Sequence, residues 1–346
     1  MGMPKPENDV FPMTLLTGFL GAGKTTLLNK YLKSPAGAGT AVLVNEFGDV
    51  DVDGAILGTM SGGTQMLSLP NGCVCCEVQD DLAAALVDLI ARRDKDGIER
   101  CIVETSGLAD PGSILRTVAR DPRLKSDIKV AQTICVAAAP AIRSQANRFV
   151  EAAEQIALAD RIAVSKSDLE TNDQMSEIYT TLASRNPLAE IVVMSDEDEI
   201  DAVFLPPKKT PSIPHSHTHT YEHTHHLSHD HDHSHDHHHS HDHDHDHDHD
   251  HTHGISSFSI EIGTPLDQDV FRDILSFWIM RHSEDLLRVK GILCFAGEPL
   301  PQLTNIVHDI CSIEPLPGAP DKSFLVFIGI NLPEDEIRRD LGRCAT

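Results

Sequence analysis

Basic charge is scarce in this 346-residue chain: 28 Lys and Arg stand against 53 Asp and Glu, a formal net charge of −25. That balance argues against a polyanion such as DNA as the main partner, because neutralising phosphates takes Lys and Arg. No apolar run approaches the roughly 20 residues of a membrane span. Residues 1–10 carry neither the basic n-region nor the long h-region of a secretory signal. Disulfide scaffolding is also missing: eight cysteines are few for this length, and three of them fall within four residues. They read as thiols kept reduced for metal or redox chemistry. The expectation is a cytoplasmic protein of about two domains, with no membrane and no nucleic acid among its partners.

One segment has no Lys or Arg at all. Residues 215–253 hold 20 of the 22 histidines, together with eight Asp and Glu222. His241, His243, His245, His247, His249 and His251 alternate with Asp. Neutral imidazole suits Zn, Ni, Cu and Co, and its affinity should fall at pH 5–6 as protons compete. Several weak metal sites on a disordered linker over 206–254 are expected; the plainer alternative is a solubilising spacer.

Either side of that tract the chain is patterned. Val10 to Thr17 reads as a strand, the segment from Thr26 as a helix, and Thr40 to Val44 as a second strand. Gln79 to Arg93 has a helical apolar period. Strands follow over 101–103, 129–137, 162–164 and 190–194, with helices over 144–159 and 176–183 between them. Short apolar strands alternating with helices predict an α/β unit over 10–205: a P-loop NTPase domain with a mostly parallel sheet covered by helices. A small α+β domain is expected over 255–346. Its strands lie at 257–262 and 324–330, with a strand or bulged arm near Gly291 and helices over 270–281 and 333–341.

The sharpest motif is Gly18-Phe19-Leu20-Gly21-Ala22-Gly23-Lys24-Thr25, a full G-x-x-x-x-G-K-[ST] between strand and helix. In that context Gly18, Gly21, Ala22, Gly23 and Thr26 cradle phosphates, Lys24 reaches the β- and γ-phosphates, and the Thr25 hydroxyl holds Mg²⁺. Glu104-Thr105-Ser106-Gly107 also ends a strand. Glu104 can organise Mg²⁺ there, and Gly107 can offer a backbone N–H to the γ-phosphate. Ser165-Lys166-Ser167-Asp168 ends another strand. Asp168 can accept from the guanine N1–H and 2-amino pair, which adenine lacks, and the Lys166 stem can lie against the base. GTP is the expected nucleotide; a helix-start cap is the plainer reading of Asp168.

Asn71-Gly72-Cys73-Val74-Cys75-Cys76 places up to three thiolates on an expected loop, a ligand set that favours Zn²⁺. Adjacent Cys75 and Cys76 need not both face the metal. A fourth ligand could come from Glu46, water, the histidine tract or a partner. Buried core cysteines and a redox pair are the alternatives. The remaining cysteines are expected in the core.

Together these residues resemble the CobW-type GTPases, a P-loop family of metal chaperones. Gly18–Thr25 resembles the Walker A loop and Asn45-Glu46-Phe47-Gly48 the switch segment. Cys73-Val74-Cys75-Cys76 resembles the C-x-C-C metal motif, and Glu104–Gly107 the Walker B-type element. Ser165–Asp168 is similar to the guanine loop, with Ser165 where the family usually has Asn. Leu287–Gly291 and Phe324–Gly329 resemble the C-terminal domain. The resemblance implies metal held by Cys73, Cys75 and Cys76 with help from Glu46, and handled according to GTP state. It implies GTP, Mg²⁺ and Zn²⁺ as ligands, with Co²⁺ possible through a likeness to the cobalamin branch. A client metalloprotein and nucleotide- or metal-dependent self-association are the implied partnerships. The expected activity is slow GTP hydrolysis assisted by Lys24, Thr25, Glu104 and Gly107. A metal store with structural GTP and an unrelated P-loop ATPase or kinase are the competing readings.

Overall fold

The computed structural model describes residues 10–45, 65–68, 75–194, 198–206, 254–318 and 322–345, with side chains except at 45, 65–68, 75–80 and 198–199. Seven strands form the first sheet: β1 (Phe11–Thr17), β2 (Thr40–Asn45), β3 (Gln65–Ser68), β4 (Arg100–Thr105), β5 (Ile128–Ala138), β6 (Arg161–Ser165) and β7 (Glu190–Val193). Their order is β3-β2-β4-β1-β5-β6-β7, and every pairing is parallel.

The period of two sorts the side chains onto two buried faces. Leu16, Val42, Ile102, Val136 and Ala163 meet α1 (Lys24–Lys33) and α7 (Asp198–Phe204) on one face. On the other, Met13, Leu15, Leu43 and Val103 meet α2 (Cys75–Asp96) and α3 (Pro111–Arg120). Further along that face, Cys135, Ile162 and Val164 meet α4 (Ile142–Arg148), α5 (Val150–Ala157) and α6 (Asn172–Arg185).

A second sheet follows, with order β11-β10-β9-β12-β8 and antiparallel pairings. Its strands are β8 (Ile255–Ile262), β9 (Leu286–Leu293), β10 (Gln302–Val307), β11 (Ile310–Pro315) and β12 (Ser323–Ile330). One face packs on α8 (Gln268–Arg281) and α9 (Glu334–Arg343) around Trp278 and Phe327. The other face packs Leu287, Phe324, Val326 and Ile328 against Ala153, Ala157 and Leu158 of the first unit.

A buried ion pair joins the units. The Arg288 guanidinium, 2% exposed, donates to the Leu158 carbonyl at 2.6 Å and to the Asp160 carboxylate. Lys290 Nζ adds a contact to the same carboxylate at 3.2 Å, and the Thr133 N–H donates to it at 3.0 Å. Burial works to raise the Asp160 carboxyl, but the Arg288 and Lys290 charges and the hydrogen bonds outweigh it and hold it at about 2.

Several local expectations change. The helix expected over 144–159 is two helices, α4 and α5, broken at Phe149, where the backbone is extended. The helix expected from Gln79 starts at Cys75, so Cys75 and Cys76 open a helix rather than sit on a loop. Gly291 marks no bulge. It lies in a continuous strand where a Cβ would overlap the Phe324 carbonyl, and the register shift falls at Ile328/Gly329 instead. Cys101, Cys135 and Cys344 are buried as expected, but Cys311 is exposed on β11 at the sheet edge. Strands β3, β10 and β11 and helices α3 and α7 are additions to the sequence reading. Among the described residues no helix is long and apolar enough to cross a membrane.

Candidate nucleotide site and the adjoining thiol segment

Parallel register gathers the motifs on one sheet edge. Leu16 pairs with Glu104, Asn45 with Thr105, and Ala138 with Ser165. The carboxyl ends of β1, β2, β4 and β6 therefore open on the same crevice, where open α/β sheets bind ligands. Thr105 Oγ1 donates to Thr17 Oγ1 at 3.2 Å, tying β4 to β1 under the loop.

The loop has the conformation that phosphate wrapping requires. Gly21 and Gly23 have φ of 71° and 97°, and a Cβ on Gly21 would meet nothing within 4 Å. Gly18 sits so close to β5 that a Cβ would overlap the Val136 carbonyl. Gly23 is the N-cap of α1 and brings no side-chain hydrogen bond to the start of that helix, the end of a helix that attracts anions. Lys24 is buried, and its ammonium donates to the Gly18 carbonyl at 2.7 Å, within the span of the loop.

Thr25 Oγ1 donates to Glu104 Oε1 at 2.6 Å across 79 residues. This pair of hard oxygen donors beside a phosphate cradle fits Mg²⁺, which keeps several waters and takes few protein ligands. Thr25 and Glu104 would hold the ion there, and it would supply positive charge against the terminal phosphates. Gly107 lies against the phosphate loop: a Cβ there would come 2.7 Å from Leu20 N. Thr26 follows Thr25 on the exposed side of α1.

Ser165, 7% exposed, donates its hydroxyl to the Ala22 carbonyl at 2.7 Å. It anchors the phosphate loop to β6. Lys166 takes a left-handed backbone, φ 56°, and its ammonium donates to the Gly21 carbonyl at 2.9 Å, so its stem spans the gap between the two loops. Asp168 is exposed in the 3₁₀ turn that follows, over Ser167–Leu169. Phe19 stacks on Phe149 with ring centroids 4.8 Å apart.

Of the thiol segment, Cys75 and Cys76 open α2. Val44 pairs with Ser68, so β3 ends within one residue of the end of β2, and α2 starts at Cys75, seven positions beyond Ser68. Glu46, Cys73 and His241 to His251 lie outside the described residues, as do the side chains of Cys75 and Cys76. Among the described residues no group of three or more His, Cys, Asp or Glu is placed to hold a metal.

The sequence reading missed Gln155. Wholly buried on α5, it donates from Nε2 to the carbonyls of Gly107 and Ala109, both at 3.1 Å. One amide beside Glu154 in the otherwise apolar stretch Ala152 to Ala159 was the available signal, since a buried amide there must find partners.

Residues 12–193 match the family model described as CobW/HypB/UreG, nucleotide-binding domain. The chain belongs to that family. Residues 255–345 match the cobalamin synthesis protein cobW C-terminal domain, so the CobW arrangement runs through both units. Zinc chaperone YjiA of Escherichia coli (strain K12) is 33% identical over 338 residues, covering 94% of this chain and 96% of that one. Zinc chaperone CobW of Pseudomonas aeruginosa is 34% identical over 212 residues, 59% of this chain and 53% of the relative. The crystal structure of Zn(II)-bound YjiA GTPase from E. coli superposes with a TM-score of 0.71 at 29% identity, covering 97% of this chain and 99% of that one. Relatives in this CobW group are thus named as zinc chaperones and as GTPases, on a P-loop NTPase fold shared with this chain.

Proposed function

We propose that the chain is a GTP-hydrolysing zinc metallochaperone that passes its metal to a client metalloprotein according to nucleotide state. The observation that carries the reading is the meeting of Thr25, Glu104 and the uncapped start of α1 on the sheet edge where β3 leads into Cys75. Likeness to zinc chaperone YjiA over nearly the full length of both chains supports zinc as the cargo.

In this reading Gly18, Gly21, Ala22, Gly23, Lys24, Thr25 and Thr26 hold the phosphates, and Thr25 and Glu104 hold Mg²⁺ with its waters. Lys24 and the Gly107 N–H stabilise the terminal phosphate. Asp168 selects guanine, with the Lys166 stem beside the base and Ser165 keeping the two loops in register. Cys73, Cys75 and Cys76 bind Zn²⁺ with Glu46. The segment after Asn45 leaves the nucleotide edge and carries Glu46, so a change there on hydrolysis alters the metal's ligands. Residues 10–205 and 255–346 act as the two folded units, and the 206–254 tract collects metal through His241 to His251.

GTP turnover in Mg²⁺ by metal-stripped protein tests this, with buffered Zn²⁺ and Co²⁺ added back separately. The account expects a zinc-dependent rate that is lost when Cys73, Cys75 and Cys76 are replaced by Ser and kept when the tract is deleted. A rate indifferent to zinc contradicts coupling at the hydrolysis step.

A further inference from the structure

Helix α5 touches both halves of the molecule. On one side, Gln155 reaches the loop that follows Glu104. Its amide sends both donor hydrogens to carbonyls, Gly107 O and Ala109 O, while its own Oε1 is buried without a partner among the described residues. An amide oxygen could not face those two carbonyls, so the NH₂ end is committed to the loop. The loop has little other freedom. Gly107 lies against Leu20 of the phosphate loop, and Asp110 caps α3 by accepting from the N–H groups of Gly112 and Ser113. On the opposite side, Ala153, Ala157 and Leu158 pack on the C-terminal sheet, and Arg288 grips the Leu158 carbonyl.

We propose that Gln155 is a positioning residue for recognition of the terminal phosphate. Its two hydrogen bonds fix the height of the Gly107 backbone against the phosphate loop and tie that height to the seating of α5 on the C-terminal sheet. Gly107 would meet the γ-phosphate and has no role toward a diphosphate. The effect of Gln155 is therefore specific to the triphosphate state, and the C-terminal sheet feels which nucleotide is bound. This rests on the nucleotide reading above.

Two substitutions of similar shape test it in the full chain. Gln155→Met removes both donors. Gln155→Glu places an acceptor against two carbonyls unless it is protonated. Affinities for GDP and for a non-hydrolysable GTP analogue are measured together with kcat/KM for GTP, and thermal melting verifies that each variant is folded. Two lost hydrogen bonds predict an analogue affinity weakened by about 10-fold or more, with GDP affinity changed by less than about 2-fold and kcat/KM falling with the analogue. In Gln155→Glu part of the loss, taken as the ratio to wild type at the same pH, should be recovered at pH 5.5 relative to pH 8, the ratio cancelling the titration of Glu154 that both chains share. Equal losses for both nucleotides, or an unchanged ratio in either folded variant, overturn the inference. A wild-type chain that binds neither nucleotide overturns the nucleotide reading and this inference with it. A wild type that binds both, beside variants with an unchanged ratio, overturns this inference alone.

Discussion

Thr25 Oγ1 and Glu104 Oε1 meet at 2.6 Å although 79 residues separate them. The contact follows from sheet order: β1 and β4 are parallel neighbours, and the pairing of Leu16 with Glu104 sets the carboxylate beside the start of α1. A hydroxyl from the phosphate loop and a carboxylate from a neighbouring strand thus share one small volume at the mouth of the cradle.

Glu104→Gln preserves that shape and removes the charge. Nucleotide should still bind, because the cradle is backbone, while turnover should fall by about 100-fold or more, in the range seen on losing one electrostatic contact to a transition state. Phosphate release under saturating GTP and Mg²⁺ measures it. A wild-type rate would remove Glu104 from the site.

Arg288→Leu leaves the Asp160 carboxylate buried without its main partner. Breaking such a pair costs about 3–5 kcal/mol. Asp160 is held at about 2, below the ordinary carboxylate value near ~4. Its stabilisation is therefore complete above about 4 and is lost as pH falls through about 2. Denaturation midpoints of wild type and variant should differ widely at pH 7 and converge toward pH 2.

Glu154, the neighbour of Gln155, behaves in the opposite sense. Burial, then the Asp110 and Glu151 charges, raise its carboxyl to about 7 against the pull of Arg116. The native state binds this proton more tightly than the unfolded chain does. The resulting stability is full below about 4.5 and is lost as pH rises through about 7. Glu154→Gln should raise the melting temperature at pH 8 by roughly 2 °C or more and leave it unchanged at pH 4. A calorimetric scan at the two values decides it.

Native thiol labelling should separate the cysteines. Cys101, Cys135 and Cys344 are buried, and burial pushes the Cys135 thiol up to about 12 and the Cys344 thiol to about 11. Cys311 is exposed. With zinc bound, mass spectrometry should find Cys311 modified first. Removing zinc should add Cys73, Cys75 and Cys76. Labelling of those three at the same rate with and without zinc would contradict the proposed ligand set.

Much of this architecture was legible in the residues. Apolar strands ending at Thr17, Glu104 and Ser165 gave the sheet, and each ended in a motif because ligand groups sit at strand ends. Strands β10 and β11 were harder to read, since β11 is largely exposed and has no apolar alternation. The break at Phe149 was hidden because the apolar positions on either side of it keep a helical spacing. Ser165 shows how a departure from a pattern can be absorbed: its hydroxyl reaches the Ala22 carbonyl and supplies a loop contact of its own. Gln155 was invisible as a functional residue, because its partners are backbone carbonyls 46 and 48 residues away.

The central claim is that nucleotide and zinc act on each other through this one chain. Calorimetric titration of zinc into the GDP-bound form and the GTP-analogue-bound form, and of each nucleotide into the zinc-free and zinc-bound forms, tests it directly. Linkage requires the two ratios to be the same factor. The account predicts a factor clearly different from one, equal in both directions and abolished by replacing Cys73, Cys75 and Cys76 with Ser. Zinc affinities identical in the two nucleotide states would contradict it.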